Sequence, residues 1–187
     1  MKKSEPRFKI RSNAEDMIRK TMQAFVDKEV IPIAREYDER AEFPDHLFKQ
    51  LGEMGLFGIR YPREAGGSGG NTTLYCIAMQ ELARGLMSLG ATVAMQCLMA
   101  TNGLYLYGTP ELHERYLYPA LRGEKKGAFQ LTEPDAGSDL KAVSTRATRT
   151  DNGWVINGMK TWATSGPPAG PGQIFTRCSA RQTPPRA

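Results

Sequence analysis

The chain has 187 residues, of which 40% are hydrophobic and 24% are charged, the balance of a globular protein and not of a disordered one. Residues 167–187 contribute +3 of the formal net charge of +5, and the rest of the chain holds no Lys/Arg block, so the charge does not predict nucleic-acid binding. The three cysteines form no CxxC pair and the two histidines lie far apart, which predicts no metal site and a reducing, cytoplasmic location.

The first predicted element is a long amphipathic helix over residues 14–37. Its apolar residues recur at helical spacing, Asn13 fits an N-cap, and Pro32 interrupts the pattern. A shorter helix is predicted after Pro44 and stops at Gly55. Its inward-facing residues are predicted to be Leu47, Leu51 and Met54.

A Gly-rich loop, PREAGGSGGNT, follows over residues 62–72. It lacks the GK[ST] ending of a phosphate-binding P-loop. The composition therefore favours a surface turn, and a nucleotide-binding loop at residues 66–70 is the weaker alternative.

Residues 72–107 are strongly apolar and predict two helices that are separated near residues 88–90. No charged residue lies between Arg84 and Glu111, so a membrane span has to be considered. A spanning helix needs about 20 predominantly apolar residues. This stretch instead contains several polar residues, Gln96 and Thr101 among them, which favours a helix buried in protein and no membrane span.

The last predicted helix begins after Gly108. Thr109 fits its N-cap, Pro110 fits the first helical position, and Gly123 ends it. Its inner face is predicted to consist of Leu112, Tyr116, Leu117 and Leu121.

The pattern then changes from helix to strand. Strands are predicted over residues 128–132, 143–150, 154–156 and 160–164, and Asp151-Asn152-Gly153 is a hairpin signal. Helices followed by an antiparallel sheet indicate an α+β fold, with an all-helical domain over residues 1–125 and the start of a β domain over residues 126–166. Residues 167–187 hold five of the 12 prolines and predict a tail with neither strand nor helix character.

The segment with the clearest chemical content is residues 131–139, LTEPDAGSD. Pro134 fixes one dihedral, and Gly137 permits a positive one and lets the backbone approach a ligand closely. Successive N–H groups with the Ser138 hydroxyl could cradle an anion. The residues by themselves favour the alternative, an ordinary turn between strands.

Five motifs in order over residues 14–166 resemble the acyl-CoA dehydrogenase family. TEPDAGSD at residues 132–139 resembles the family signature. The other four are YPREAGGSG (61–69), ELAR (81–84), YGTPE with RYL (107–117) and NGMKTWAT (157–164).

The resemblance implies FAD as the cofactor and a barrel-like middle β domain that holds it. The residues implied to contact FAD are Phe129, Leu131, Thr132, Gly137, Ser138, Trp162 and Thr164. Ser138 is also implied to contact the acyl-CoA side. Trp162 would pack on the isoalloxazine ring and Thr164 would hydrogen-bond near its reactive nitrogen, whereas Glu133 would be structural.

The resemblance also implies the parent reaction, which is α,β-desaturation of an acyl-CoA with electrons passed to an electron-transfer flavoprotein by a homotetramer. In the family the catalytic base is a Glu of a C-terminal four-helix domain, and nothing in these 187 residues corresponds to that domain. We therefore assign no catalytic residue, leave open whether this chain is an enzyme, and expect it to show no turnover by itself. The match fades at Pro167, which predicts a truncated or frame-shifted chain. The alternative is a non-enzymatic short product that binds a partner protein.

Overall fold

The structure is a computed structural model that describes residues 12–165, 174–178 and 180–183. Helices occupy the first two thirds of the described chain and strands follow, as the sequence predicts. No helix among the described residues has both the length and the hydrophobicity that a bilayer crossing requires.

The long N-terminal helix is confirmed, with a local widening in its middle. It consists of α1 (Asn13–Phe25), a π-helical turn (Val26–Val30) and α2 (Ile31–Glu39). Pro32 lies in the first turn of α2, so the interruption predicted there takes the form of the widened turn before it. The N-cap is Ser12 and not Asn13, because the Ser12 hydroxyl accepts the Glu15 N–H at 3.3 Å.

The second helix, α3 (Asp45–Glu53), ends where the sequence predicts. Gly55 follows it with a φ of 77°, a left-handed conformation that favours glycine. Leu47 and Leu51 are fully buried. The inward orientation predicted for Met54 is wrong: this residue lies just beyond the last turn of α3 and is 43% exposed.

The Gly-rich loop is closed by its own backbone. The N–H groups of residues 66–70 all donate to carbonyl oxygens within the loop or just before it, at 2.8–3.0 Å. The acceptors are the carbonyls of Arg63, Pro62, Gly58, Tyr61 and Ile59. Since these donors are already paired, they cannot cradle a phosphate, and the nucleotide-binding alternative for this loop is wrong.

Three further helices and a second π-helical turn form the apolar middle of the chain. They are α4 (Thr72–Gly85), α5 (Met87–Ala94), the π-helical turn (Met95–Ala100) and α6 (Asn102–Tyr107). The break predicted near residues 88–90 lies at Leu86 instead, where the backbone is extended for one residue.

The last helical segment comprises α7 (Pro110–Leu112), a π-helical turn (His113–Leu117) and α8 (Tyr118–Leu121). Its predicted N-cap is confirmed, since the Thr109 hydroxyl accepts the Leu112 N–H at 3.4 Å. Leu117 and Leu121 are buried as predicted, whereas Leu112 is exposed because it lies in the first turn.

A main apolar core packs α1 to α5, and a smaller cluster of Tyr61, Leu117 and Leu121 packs the last helical segment. The largest buried members of the main core include Phe48 and Phe57, whose ring centroids lie 4.5 Å apart. Burial of each such side chain stabilises the fold by about 1.5–3 kcal/mol. A buried carboxylate adds a polar connection: Glu81 of α4 accepts hydrogen bonds from Arg19 of α1 at 2.8 Å and from Arg84 at 3.1 Å.

The described strands form two small sheets. The strands are β1 (Lys126–Gln130), β2 (Arg146–Thr150), β3 (Gly153–Asn157), β4 (Ile174–Cys178) and β5 (Arg181–Thr183). The predicted antiparallel hairpin of β2 and β3 is confirmed, with Thr150 opposite Gly153. β1 pairs with β4, and β2 pairs with β5, in parallel.

Two sequence predictions in this half are wrong. Residues 160–164 form no regular strand, because they are held by the side-chain and single backbone hydrogen bonds described below. The prediction of no strand beyond residue 166 fails at β4 and β5, whose pairing depends on distant partners and not on a local alternating pattern. The rest of the predicted tail lies outside the described residues.

Candidate functional site

The two motifs that were singled out near the sheet lie side by side. The Thr161 N–H donates to the Thr132 carbonyl at 3.0 Å. The Lys160 ammonium donates to the Leu131 carbonyl at 2.9 Å and to Glu133 Oε1 at 2.8 Å. The segment that follows β1 is therefore fixed directly against the segment that follows β3.

Glu133 is the centre of this arrangement. Its carboxylate is buried and accepts the Ser144 N–H at 2.6 Å, the Ser144 hydroxyl at 2.7 Å and the Thr145 N–H at 3.0 Å, besides the Lys160 ammonium. Lys160, followed by Thr145 and Ser144, holds the pKa of Glu133 far below its usual range. A carboxylate that is ionised and fully hydrogen-bonded is a poor proton acceptor, so these contacts give Glu133 a structural role.

The turn after Glu133 is tight and leaves its outer edge open. Glu133 and Ala136 exchange backbone hydrogen bonds at 2.9 and 3.2 Å. Gly137 does not adopt the positive φ that a glycine permits. A Cβ added to Gly137 would nevertheless meet no atom within 4 Å. The space beside its backbone, and beside the exposed Ser138, is open.

The second segment carries a strained aromatic residue. Trp162 has a φ of 59° and is 89% exposed, and Ser165 also has a φ of 59°. A bulky residue with positive φ is an outlier of the kind that concentrates at ligand sites. Between them Thr164 is half-buried. The Thr161 hydroxyl oxygen is buried and has no hydrogen-bond partner among the described residues.

The hydrogen bonds of Lys160 and Thr161 join the segment at residues 131–133 to the segment at residues 160–161. They do not bring together all of the residues that the family resemblance implies for the flavin. Phe129, Leu131 and Thr132 are half-buried along β1 and just after it. No hydrogen bond among the described residues joins Gly137 or Ser138 to the segment of Trp162 and Thr164.

The sequence analysis placed Lys160 in a family motif but predicted no hydrogen bond or ion pair for it. It also missed Ser144 and Thr145 altogether. The signal for Lys160 was that its motif, which runs past Gly158 and Trp162, contains no acidic residue. If this lysine is buried, its ionic partner has to come from another part of the chain. Ser144 and Thr145 carry no local signal, because their partner Glu133 is 11 and 12 residues away.

Helices that are followed by strands define a two-part α+β protein. The chain matches the acyl-CoA dehydrogenase N-terminal domain over residues 12–124 and the acyl-CoA dehydrogenase middle domain over residues 128–186. The chain therefore belongs to the acyl-CoA dehydrogenase family. The middle-domain match extends past Pro167, where the sequence motifs alone predicted that it would fade.

Individual relatives give the same result. Benzylmalonyl-CoA dehydrogenase of Aromatoleum aromaticum is 49% identical over 86% of this chain and 42% of its own length. Glutaryl-CoA dehydrogenase of Mycobacterium smegmatis, solved in complex with FADH2, is 32% identical with a TM-score of 0.78, over 82% of this chain and 39% of that one.

A chain from structural work on the electron transferring flavoprotein of Acidaminococcus fermentans is 32% identical with a TM-score of 0.80. The matched region covers 86% of this chain and 42% of that chain. The chain thus spans about two fifths of the length of the proteins that it matches.

Proposed function

We propose that this chain supplies part of the FAD site of an acyl-CoA dehydrogenase, in which an acyl-CoA is desaturated between its α and β carbons. The observation that carries the proposal is the direct contact of the segment 131–133 with the segment 160–161 through Lys160 and the Thr161 N–H. Bound FAD would supply the acceptor for the hydride that leaves the substrate. The residues of this chain bind and orient that group.

The second segment suits a flat, apolar ring. The exposed indole of Trp162 offers a face on which an isoalloxazine can pack, and a ligand in that place would offset the strain of its positive φ. The half-buried hydroxyls of Thr132 and Thr164 could hydrogen-bond the polar edge of the ring. The unpaired Thr161 hydroxyl, buried beside them, supports a polar ligand group in this place.

The open turn suits a phosphate or a neighbouring polar group. Beside Gly137 there is room for a ligand to approach the backbone, and the Ser138 hydroxyl is exposed at the same edge. We assign this edge to the pyrophosphate region of FAD, with Ser138 also on the acyl-CoA side. Phe129 and Leu131 contribute apolar surface next to it.

No residue of this chain is proposed as the base that removes the α proton. Glu133 is the acid that lies at the contact between the two segments, and its carboxylate is already occupied by Lys160, Ser144 and Thr145. We therefore propose that the 187-residue chain binds FAD without turnover by itself. Acyl-CoA substrate, electron-transfer flavoprotein and homotetramer are proposals for the whole protein only.

Titration of FAD into the purified chain, followed by quenching of flavin fluorescence and by the shift of the visible spectrum, tests the proposal. Trp162→Ala should weaken binding about 2- to 10-fold, the range that an aromatic pair provides. Trp154→Ala is the matched control, because Trp154 is also exposed but lies on β3 outside the site. Absence of quenching with the unmodified chain, or equal effects of the two substitutions, would contradict the proposal.

The alternative, a non-enzymatic product that binds a partner protein, is favoured by one observation. Trp154, Val155 and Ile156 of β3 are 51%, 48% and 54% exposed, which gives one strand apolar side chains on both faces. Replacement of these residues by Thr should abolish partner binding and leave FAD binding intact if this alternative holds. Partner binding that persists in this variant would exclude it.

A further inference from the structure

We infer that Gln96 is a positioning residue for the flavin site, because its side chain fixes the start of β1 to the helical domain. This inference rests on the proposed function, since β1 leads directly into the segment that is assigned to FAD. Gln96 lies outside all five family motifs.

The side-chain amide of Gln96 is fully used. Its Nε2 donates to the Ala120 carbonyl at 3.0 Å and to the Lys125 carbonyl at 2.9 Å, and its Oε1 accepts the Gly127 N–H at 2.7 Å. Gln96 is only 1% exposed. With two carbonyl acceptors on one side and an N–H donor on the other, the orientation of the amide is determined by its partners.

These three bonds join parts of the chain that are far apart in sequence. Ala120 belongs to α8, Lys125 lies in the connection after it, and Gly127 is the second residue of β1. Gln96 itself lies in the π-helical turn Met95–Ala100 of the helical domain, and such widened turns often mark functional positions. Gln96 therefore fixes the start of β1 from one side, while Lys126, which pairs with Asp45, holds it to α3.

The π-helical turn that carries Gln96 is also stabilised by buried hydrogen bonds of Thr101. The Thr101 hydroxyl donates to the Gln96 carbonyl at 2.7 Å and lies 2.8 Å from the Tyr61 hydroxyl. These contacts are buried but do not reach β1. Thr101 thus offers a control that weakens the same buried network without releasing the strand.

The consequence for the site follows from strand geometry. Phe129 is two residues beyond Gly127, and Thr132 is five residues beyond it, about 17 Å along an extended chain. Phe129 lies within β1 and Thr132 two residues beyond its end, so a shift or a rotation at Gly127 is transmitted along the strand to Phe129 and on to the segment of Thr132. Removal of the Gln96 amide also takes away the acceptor of the buried Gly127 N–H, which favours such a shift.

The test compares Gln96→Met with Thr101→Val in the full 187-residue chain. Methionine matches glutamine in length and removes all three side-chain hydrogen bonds. We expect Gln96→Met to speed the exchange of the Ala128–Gln130 amides and to raise the Kd for FAD about tenfold, equivalent to ~1.4 kcal/mol. We expect Thr101→Val to leave both quantities near those of the unmodified chain. If Gln96→Met does not fold, Gln96→Asn takes its place, since its shorter side chain stays polar but cannot span the three partners.

Unchanged β1 exchange and unchanged FAD affinity in the Gln96 variant would overturn the inference while the proposed function stands. Equal loosening of β1 in both variants would also overturn it, because it would reduce Gln96 to a general contributor to stability. Failure of the unmodified chain to bind FAD would contradict the proposed function, and the exchange of the β1 amides would then decide the positioning role by itself.

Discussion

The same methyl group, added at two glycines of this chain, should have opposite consequences. A Cβ at Gly67 would lie 2.1 Å from the Tyr61 carbonyl oxygen and 2.5 Å from the Tyr61 Cβ, so the backbone of the Gly-rich loop must move. A Cβ at Gly137 would meet nothing within 4 Å. Gly67→Ala therefore tests packing, and Gly137→Ala tests whether open space is reserved for a ligand.

The magnitudes follow from these contacts. Overpacking of a tight site lowers the unfolding free energy by about 1–3 kcal/mol. At Gly67 this cost increases, because a displaced backbone weakens the hydrogen bonds that close the Gly-rich loop. The lower entropy of the unfolded alanine chain offsets about 0.4–1 kcal/mol of this. We expect Gly67→Ala to lose about 2 kcal/mol of unfolding free energy, or roughly 4–8 °C in Tm for a chain of this size.

Gly137→Ala should leave the unfolding free energy unchanged or raise it by about 0.4–1 kcal/mol, because its native φ is not positive and no atom obstructs the methyl group. The same variant should bind FAD more weakly. Urea unfolding and FAD titration of both variants give the comparison. The reasoning is refuted if Gly67→Ala is as stable as the unmodified chain, or if Gly137→Ala loses as much stability as Gly67→Ala.

Two further outcomes concern ionisable side chains. Burial raises the pKa of the Cys97 thiol to about 12, whereas Cys76 is exposed, so iodoacetamide at neutral pH should label Cys76 and spare Cys97 in the folded chain. Labelling of Cys97 in a folded Cys76→Ser variant would contradict its burial. Because Lys160 holds the pKa of Glu133 below its usual value, the pair stabilises the fold above about pH 4.3 and loses this contribution as the pH falls. Lys160→Met should therefore reduce the loss of unfolding free energy as the pH falls below about 4.3. The same pH dependence in the variant and the unmodified chain would contradict a contribution from this ion pair.

Local signals were sufficient for the elements that are capped or stopped by particular residues. Thr109 with Pro110 begins a helix, and Gly55 and Gly123 end helices with φ values of 77° and 79°, because each of these positions needs one residue type for a backbone reason. Side-chain orientation at helix ends was less predictable. Met54 and Leu112 continue the apolar pattern but lie where the helix has ended or has just begun, so they are covered only in part.

The hydrogen bonds that form the site could not be predicted from spacing. Lys160 and Glu133 are 27 residues apart, and Gln96 reaches Gly127 across 31 residues, so both contacts depend on the tertiary fold. The parallel partners of β1 and β2 are non-local in the same way, which is why the Pro-rich region after residue 166 showed no strand pattern. The resemblance to the family identified the segments of the site, but not the groups that hold them together.

The central claim is that the segments 131–138 and 160–164 together bind FAD. Hydrogen exchange of the 187-residue chain with and without FAD tests it most directly, because it reports every segment at once. We expect FAD to protect amides around Thr132, Gly137 and Trp162, and to leave the Gly-rich loop at residues 66–70 unchanged, since its N–H groups are already paired. Protection of that loop without protection of both flavin segments, or no protection anywhere, would contradict the claim.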